Sequence, residues 1–246
     1  MTRNKLAARI LSLAAAKKEG HVGSSLSILD ILFVLYQTFI NKGGNRFVLS
    51  KGHASLGLFV VLEHFKLLES SLDSFCDFYS EFGGHPSNKV RHVETSTGSL
   101  GHGLPIAVGM AMGNKIQSIP GSTFVLIGDG EANEGSIWEA AMLASHHKLD
   151  NLVCIMDYNH SGDRAIKIDP IFEKFKAFGW ACVEIDGHDE LQIKNALEVI
   201  ILEKPLFILA NTTKGKGIKS MENNPEWHHK SPNEDELKLF LQELQS

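Results

Sequence analysis

Four short apolar runs constrain this chain more than anything else in it. Phe124-Val-Leu-Ile127, Leu152-Val-Cys-Ile-Met156, Ala181-Cys-Val-Glu-Ile185 and Leu206-Phe-Ile-Leu-Ala210 are apolar at nearly every position rather than at alternate ones. Residues 137–147 separate the first pair and residues 190–203 the second, and both stretches read as helices. A strand that is apolar throughout is buried on both faces, which happens when helical crossovers cover a parallel sheet. The expected fold is therefore α/β, a mostly parallel sheet with helices on both faces. Ligands of such sheets bind beyond the carboxyl ends of the strands. The residues directly after each run are the ones to read for chemistry.

Elsewhere, Leu6, Ile10, Leu13 and Ala14 recur at helical spacing, with Thr2 as the expected N-cap. Residues 26–39 predict a second helix whose few polar positions include Asp30 and Gln37. Helical stretches at 56–68 and 72–79 separate two short loops that carry Gly52-His53 and Gly84-His85. Small residues at Ala107, Gly109, Ala111 and Gly113 predict that a helix over 103–117 packs closely against something. Residues 214–231 are polar and predict a flap, and Ser231-Pro-Asn-Glu234 has capping-box spacing that opens a last helix over about 232–245. The whole chain, 1–246, is expected to form one unit. His21, His53 and His85 lie 32 residues apart, but their flanks share only Gly-His, so there is no internal repeat.

Composition narrows the classes. With 24 Lys+Arg against 29 Asp+Glu, 43% apolar and 22% charged residues, the 246-residue chain has the profile of a globular protein. No apolar run approaches the roughly 20 residues of a membrane span. A slightly acidic total without a basic block excludes a general nucleic-acid binder. Cys76, Cys154 and Cys182 are far apart and form no C-x-x-C, which suits a reducing compartment. Residues 9–16 faintly resemble a signal-peptide core, yet they run into Lys17-Lys18-Glu19 with no cleavage pattern. A cytoplasmic location is expected.

The strongest local signal is Gly128-Asp129-Gly130, directly after the first apolar run. Two glycines let the chain turn sharply and bring backbone N–H groups to an anion, while the following helix directs its positive end there. Asp129 would repel a phosphate unless a cation lies between them. A hard ion such as Mg²⁺, which takes oxygen ligands and phosphate together, resolves the conflict. Thirty residues on, the next run ends in Asp157-Tyr158-Asn159, where Asn159 is expected beside Asp129 as a second ligand, with the Ser161 carbonyl as a third. The plain alternative is a tight turn and an ordinary loop asparagine. A dinucleotide site with Asp157 on a ribose is the rival, but its third glycine position is Asn133 and the acid comes late.

The stretch GDGEANEGSIWEAAMLASHHKLDNLVCIMDYN resembles the thiamine-diphosphate and metal motif of transketolases. Further blocks in family order are EGHVGSSLS, LSKGHASLGLF, GGHPS, STGSLGHGLPIAVGMA and TTKGKGIKSMENNPEWHH. The chain ends after what resembles the diphosphate-binding domain, as in the N-terminal subunit of a split transketolase. Its pyrimidine-binding half would be a separate polypeptide, giving an α₂β₂ assembly in which this chain alone is inactive.

The resemblance implies that Asp129, Asn159 and the Ser161 carbonyl bind Mg²⁺ or Ca²⁺, and that His53, Gly130, Asn159 and His228 hold the diphosphate. It places Gly98, Ser99 and Leu100 against the cofactor rings and Glu134 at the subunit interface. It also places His21, His85 and His228 around the reacting carbons of sugar phosphate substrates. Imidazoles titrating near neutrality suit that work. Taken singly, a His after Gly is more often a hydrogen-bonded loop residue, and His102, His146, His147, His188 and His229 are read that way. The implied activity is transfer of a two-carbon ketol unit from ketose to aldose, either in general metabolism or as a specialised enzyme of a secondary or catabolic pathway. The other readings are an NAD-dependent dehydrogenase and a non-catalytic partner subunit. One departure stands out: His160-Ser-Gly-Asp-Arg-Ala165 occupies a place where split-family members usually have an apolar residue and Gln.

Overall fold

The computed structural model describes residues 2–40 and 43–245, so the end residues of the expected 1–246 unit lie outside the described residues. The helices are α1 (Thr2–Lys17), α2 (Val22–Ser27), α3 (Leu29–Leu35), α4 (Ser55–His64), α5 (Gly103–Ile116), α6 (Gly135–His146), α7 (Ile171–Ala177), α8 (Glu190–Leu197) and α9 (Glu234–Glu243). The strands are β1 (Arg46–Leu49), β2 (Thr123–Gly128), β3 (Leu152–Tyr158), β4 (Ala181–Asp186) and β5 (Leu206–Asn211). They form one sheet, ordered β1-β2-β3-β5-β4, in which every pairing is parallel.

Alternate strand residues feed two separate cores. Phe124, Leu126, Val153, Ile155, Leu206 and Ile208 pack with α1 to α4, α8 and α9 on one face. Val125, Ile127, Cys154, Met156, Phe207 and Leu209 pack with α5, α6 and α7 on the other. This is why the runs on β2, β3 and β5 are apolar throughout, since each of these strands has two buried faces, whereas the run on the edge strand β4 is mostly half-buried or exposed. The register sets Gly128 opposite Asp157 and Asp157 opposite Ala210, so the ends of β2, β3 and β5 are level and their following loops share one edge.

Several sequence expectations shift. Thr2 is already helical rather than a cap. The helix expected over 26–39 starts at Val22 and breaks at Ile28 (φ −104°, ψ 2°), after which α3 runs into a π-helical turn, Tyr36–Ile40. The break leaves Ser27 at the end of α2 with its hydroxyl donated to Asp157 Oδ1 at 2.7 Å, a long-range bond no local pattern encodes. Of 72–79, only the 3₁₀ turn Leu72–Ser74 is helical, because Cys76 adopts φ 57°. The helix expected to reach 203 stops at Leu197. The capping box falls two residues later than expected: Asn233 accepts from the Glu236 N–H while Glu236 accepts from the Asn233 N–H, so Ser231 is not the cap. Gly109 and Gly113 do not mediate close packing within the chain, since a Cβ at either would meet nothing within 4 Å. Strand β1 and helix α7 have no counterpart among the sequence expectations, because each offers only a short apolar signature.

Candidate active site

The level strand ends carry a charged floor. Lys51, just past β1, forms an ion pair with Asp157 at the end of β3, and both side chains are buried. Asp157 also accepts hydrogen bonds from Ser27, from the Thr212 hydroxyl and from Asn159 Nδ2 at 2.8 Å. Such a buried pair holds only where its remaining hydrogen-bonding capacity is met, as it is here. Glu131 is equally buried, accepting the N–H groups of Gly101 (2.9 Å) and Gly128 (3.2 Å) and the Ser50 hydroxyl; burial pushes its pKa up.

Asp129 stands at the β2 turn, only 5% exposed. Its carboxylate accepts the N–H of Gly130 at 2.7 Å and that of Gly162 at 3.1 Å. Burial raises its pKa, and those two neutral donors only partly oppose the rise. Gly162 has to be glycine, since a Cβ there would lie 2.6 Å from the Gly130 Cα. This backbone-on-backbone contact brings the loop after β3 against the turn after β2. Asn159 donates Nδ2 to Asp157 and to Ser27 Oγ (3.2 Å), which fixes its amide orientation and leaves Oδ1 as an acceptor, taking the Ser161 N–H at 3.1 Å. Asp129, Asn159 and Ser161 line one cavity of about 350 Å³. The acid and the amide thus converge on a common space instead of pointing to opposite faces of the sheet. A buried carboxylate with neutral donors, a fixed amide and a backbone carbonyl are the oxygen set that a hard divalent cation takes.

A histidine rim closes the same cavity. His21, held in the left-handed region (φ 62°) at the start of α2, lies 5.2 Å from His53 and 5.9 Å from His228 between ring centroids. His85, Gly98, Leu100 and Gly130 also line the space. Burial, reinforced by neighbouring imidazoles, lowers the pKa of His21 to about 4, and burial with nearby Lys51 lowers that of His53 to about 2. Burial and Lys214 lower His228 as well. These rings are neutral at pH 7, so each offers one N–H donor and one lone-pair acceptor. Lys214 Nζ lies 2.8 Å from His228 Nδ1. An ammonium only donates, so Nδ1 accepts and the His228 proton sits on Nε2. Burial brings Lys214 itself down to about 8.

Two expected residues stay outside the lining. Ser99 and Glu134 are exposed, Ser99 between two lining residues and Glu134 at the start of α6 against Gly101. Among the histidines read as loop residues, His188 fits: it donates Nδ1–H to Asp30 at 2.7 Å and accepts the Thr213 N–H at 2.8 Å, anchoring the segment that enters Lys214. His229 does not fit, since its ring packs 4.5 Å from that of His21. Lys51, Glu131, Asp157 and Lys214 join this site from outside the residues expected to hold cofactor or metal, although all four lie within the family-like blocks and the strand-end rule points at Asp157 and Lys214, which follow apolar runs. A second hollow of about 570 Å³ adjoins the first, sharing Asn159, Ser161, Lys214 and His228 and adding Arg164, Asn223 and Asn224, with no acidic residue in its lining.

Known proteins match this chain in sequence and fold. The family model for the transketolase thiamine diphosphate-binding domain covers residues 2–245. An apulose-4-phosphate transketolase subunit from Actinobacillus succinogenes is 41% identical over 92% of this chain and 87% of its own length. The protein of the same name from Phocaeicola vulgatus is 36% identical over 96% and 90%. The solved transketolase of Campylobacter jejuni superimposes with a TM-score of 0.88 at 31% identity, covering 99% of this chain but 42% of that one. With family model, near-full-length relatives and fold in agreement, this chain belongs to the transketolase family, as its thiamine diphosphate-binding part.

Proposed function

We propose that the chain is the N-terminal subunit of a split, thiamine diphosphate-dependent transketolase that moves a two-carbon ketol unit from a ketose phosphate to an aldose phosphate. The observation that carries this reading is the convergence of Asp129, Asn159 and Ser161 on the cavity that His21, His53, His85 and His228 surround. The near-complete match to relatives named as transketolase subunits, against 42% of a full transketolase, supports the split. Relatives named for apulose-4-phosphate favour a specialised catabolic route.

Asp129, the Asn159 amide oxygen and the Ser161 carbonyl hold Mg²⁺ or Ca²⁺. His53, Gly130, Asn159 and His228 take the diphosphate through neutral N–H donors and backbone, with Lys214 adding charge. Gly98 and Leu100 face the rings of the cofactor, with Ser99 joining them through the chain between, and Glu134 meets the second subunit. When bound, the cofactor supplies the carbon nucleophile and the electron sink that sugar cleavage needs. His21, His85 and His228 donate N–H groups to the sugar oxygens on which charge develops and exchange protons with them. The acid that activates the pyrimidine comes from the partner, in an α₂β₂ complex. Residues 1–246 act as one cofactor-binding unit, in the cytoplasm, where the three free cysteines persist as thiols.

The test is reconstitution with the pyrimidine-binding subunit, thiamine diphosphate and Mg²⁺. Ketose phosphate turnover by the pair and not by this chain alone is expected; turnover by the chain alone would overturn the split assignment.

A further inference from the structure

We infer that the rim of the cavity contains a second divalent-metal site, Glu19–His21–His229, selective for a borderline ion such as Zn²⁺. One carboxylate oxygen of Glu19 and one ring nitrogen each of His21 and His229 all lie within 4.8 Å of one another. Three-ligand zinc sites of two imidazoles and a carboxylate keep a fourth, open position, and bonds of about 2.0–2.1 Å set neighbouring donor atoms roughly 3.3 Å apart. Small side-chain rotations therefore close the triad on an ion.

Two backbone features hold these residues together. His21 sits at φ 62°, a conformation that costs a non-glycine residue energy and persists only where the surroundings impose it. Gly20, between Glu19 and His21, lies under His229: a Cβ there would come within 2.8 Å of the His229 ring and 3.1 Å of its backbone carbon. The missing side chain lets the flap carry His229 down onto the 19–21 turn. The donor chemistry separates this site from the one at Asp129. Two nitrogens and one oxygen suit Zn²⁺, whereas the all-oxygen set of Asp129, Asn159 and Ser161 suits Mg²⁺ or Ca²⁺.

Occupation has a consequence that rests on the function proposed above. An ion on His21 takes the ring's only lone pair, so the ring can no longer pick up a proton in the exchange proposed above, and Zn²⁺ inhibits turnover reversibly.

Calorimetric titration of the full chain with Zn²⁺, in excess Mg²⁺, reads the site directly. One equivalent is expected to bind, and tetrahedral Co²⁺ in its place gives intense visible absorption. His229→Ala and Glu19→Gln should each weaken Zn²⁺ binding at least tenfold, with circular dichroism reporting that the variants are folded, while Asp129→Ala leaves it unchanged. Absence of Zn²⁺ binding under excess Mg²⁺, or wild-type affinity in both rim variants, would overturn the site. In the reconstituted complex, Zn²⁺ should inhibit the wild type and spare Glu19→Gln. Stoichiometric binding without inhibition would leave the metal site standing and count instead against His21 at the sugar.

Discussion

At the strand ends, Lys51 and Asp157 pair inside a shell of Ser27, Asn159 and Thr212, fixed by elements that share one sheet. Around the same cavity, the imidazoles of His21, His53 and His228 meet through loops drawn from positions as far apart as 21 and 228. The floor is charged, buried and saturated with hydrogen bonds, while the rim is neutral and partly exposed. The difference separates two tasks. Under the proposed function, a floor that holds a divalent ion and a diphosphate needs fixed charge, and low dielectric makes fixed charge effective. Under the same proposal, a rim that exchanges protons with a sugar needs groups that lack charge at rest and remain accessible.

The contrast is open to test, and the largest effect belongs to the floor. Asp129→Ala is expected to remove Mg²⁺-dependent thiamine diphosphate binding with the fold intact; unchanged affinity by calorimetry would break the ligand assignment. Burial raises the Asp129 pKa above its unfolded value, so its contribution to stability is full at low pH and lost as pH rises through the folded pKa. Asp129→Asn should accordingly make the metal-free chain more stable at neutral pH, by urea denaturation, while abolishing its response to Mg²⁺.

Next comes Lys51→Ala, which strands a buried carboxylate and should cost about 3–5 kcal/mol of stability. The apolar double variant Lys51→Met/Asp157→Leu should recover much of that loss; failure to do so would mean that Asp157 acts chiefly through Ser27 and Thr212.

At the rim, His85→Ala should lower turnover of the reconstituted enzyme by about 100-fold and leave cofactor affinity alone. Wild-type turnover would remove His85 from the substrate site.

A smaller effect is pH-dependent. The folded pKa of His53, about 2, lies far below its ordinary 6.5, so its neutral form stabilises the fold above pH 6.5 and that contribution fades as pH falls towards 2. His53→Gln should flatten the loss of stability between pH 6.5 and 5 by about 1–2 kcal/mol. His21 acts in the same direction between 6.5 and about 4, reduced by its greater exposure. An unchanged slope in His53→Gln would show that folding does not lower the pKa of this ring. Smallest of all, and remote from both regions, Asn233→Ala should cost about 1 kcal/mol and Ser231→Ala nothing measurable, which sets a baseline for purely local contributions.

Much of the floor is legible in the sequence. Gly128-Asp129-Gly130 and Asn159 stand directly behind apolar runs, and parallel pairing brings the ends of adjacent strands level. Lys51 is hidden there because β1 has only Phe47, Val48 and Leu49 to announce it. The rim is legible only by resemblance. Gly-His pairs occur in ordinary loops, and nothing local distinguishes His188, which anchors Thr213, from His229, which packs on His21. The same limit displaces the last capping box, where Ser231 and Asn233 both fit the spacing and the Glu236 carboxylate selects Asn233.

By itself, the order of residues determined the α/β class, the position of four of the sheet's five strands and the acid-bearing turn at the end of β2, because apolar runs and the need for a glycine turn are written in adjacent positions. Tertiary structure alone decided that the Gly162 N–H reaches Asp129, that Ser27 reaches Asp157, and that His229 settles over Gly20. Those contacts join segments from 33 to more than 200 residues apart. Their energies depend on shape and desolvation at the meeting point, which no local pattern carries.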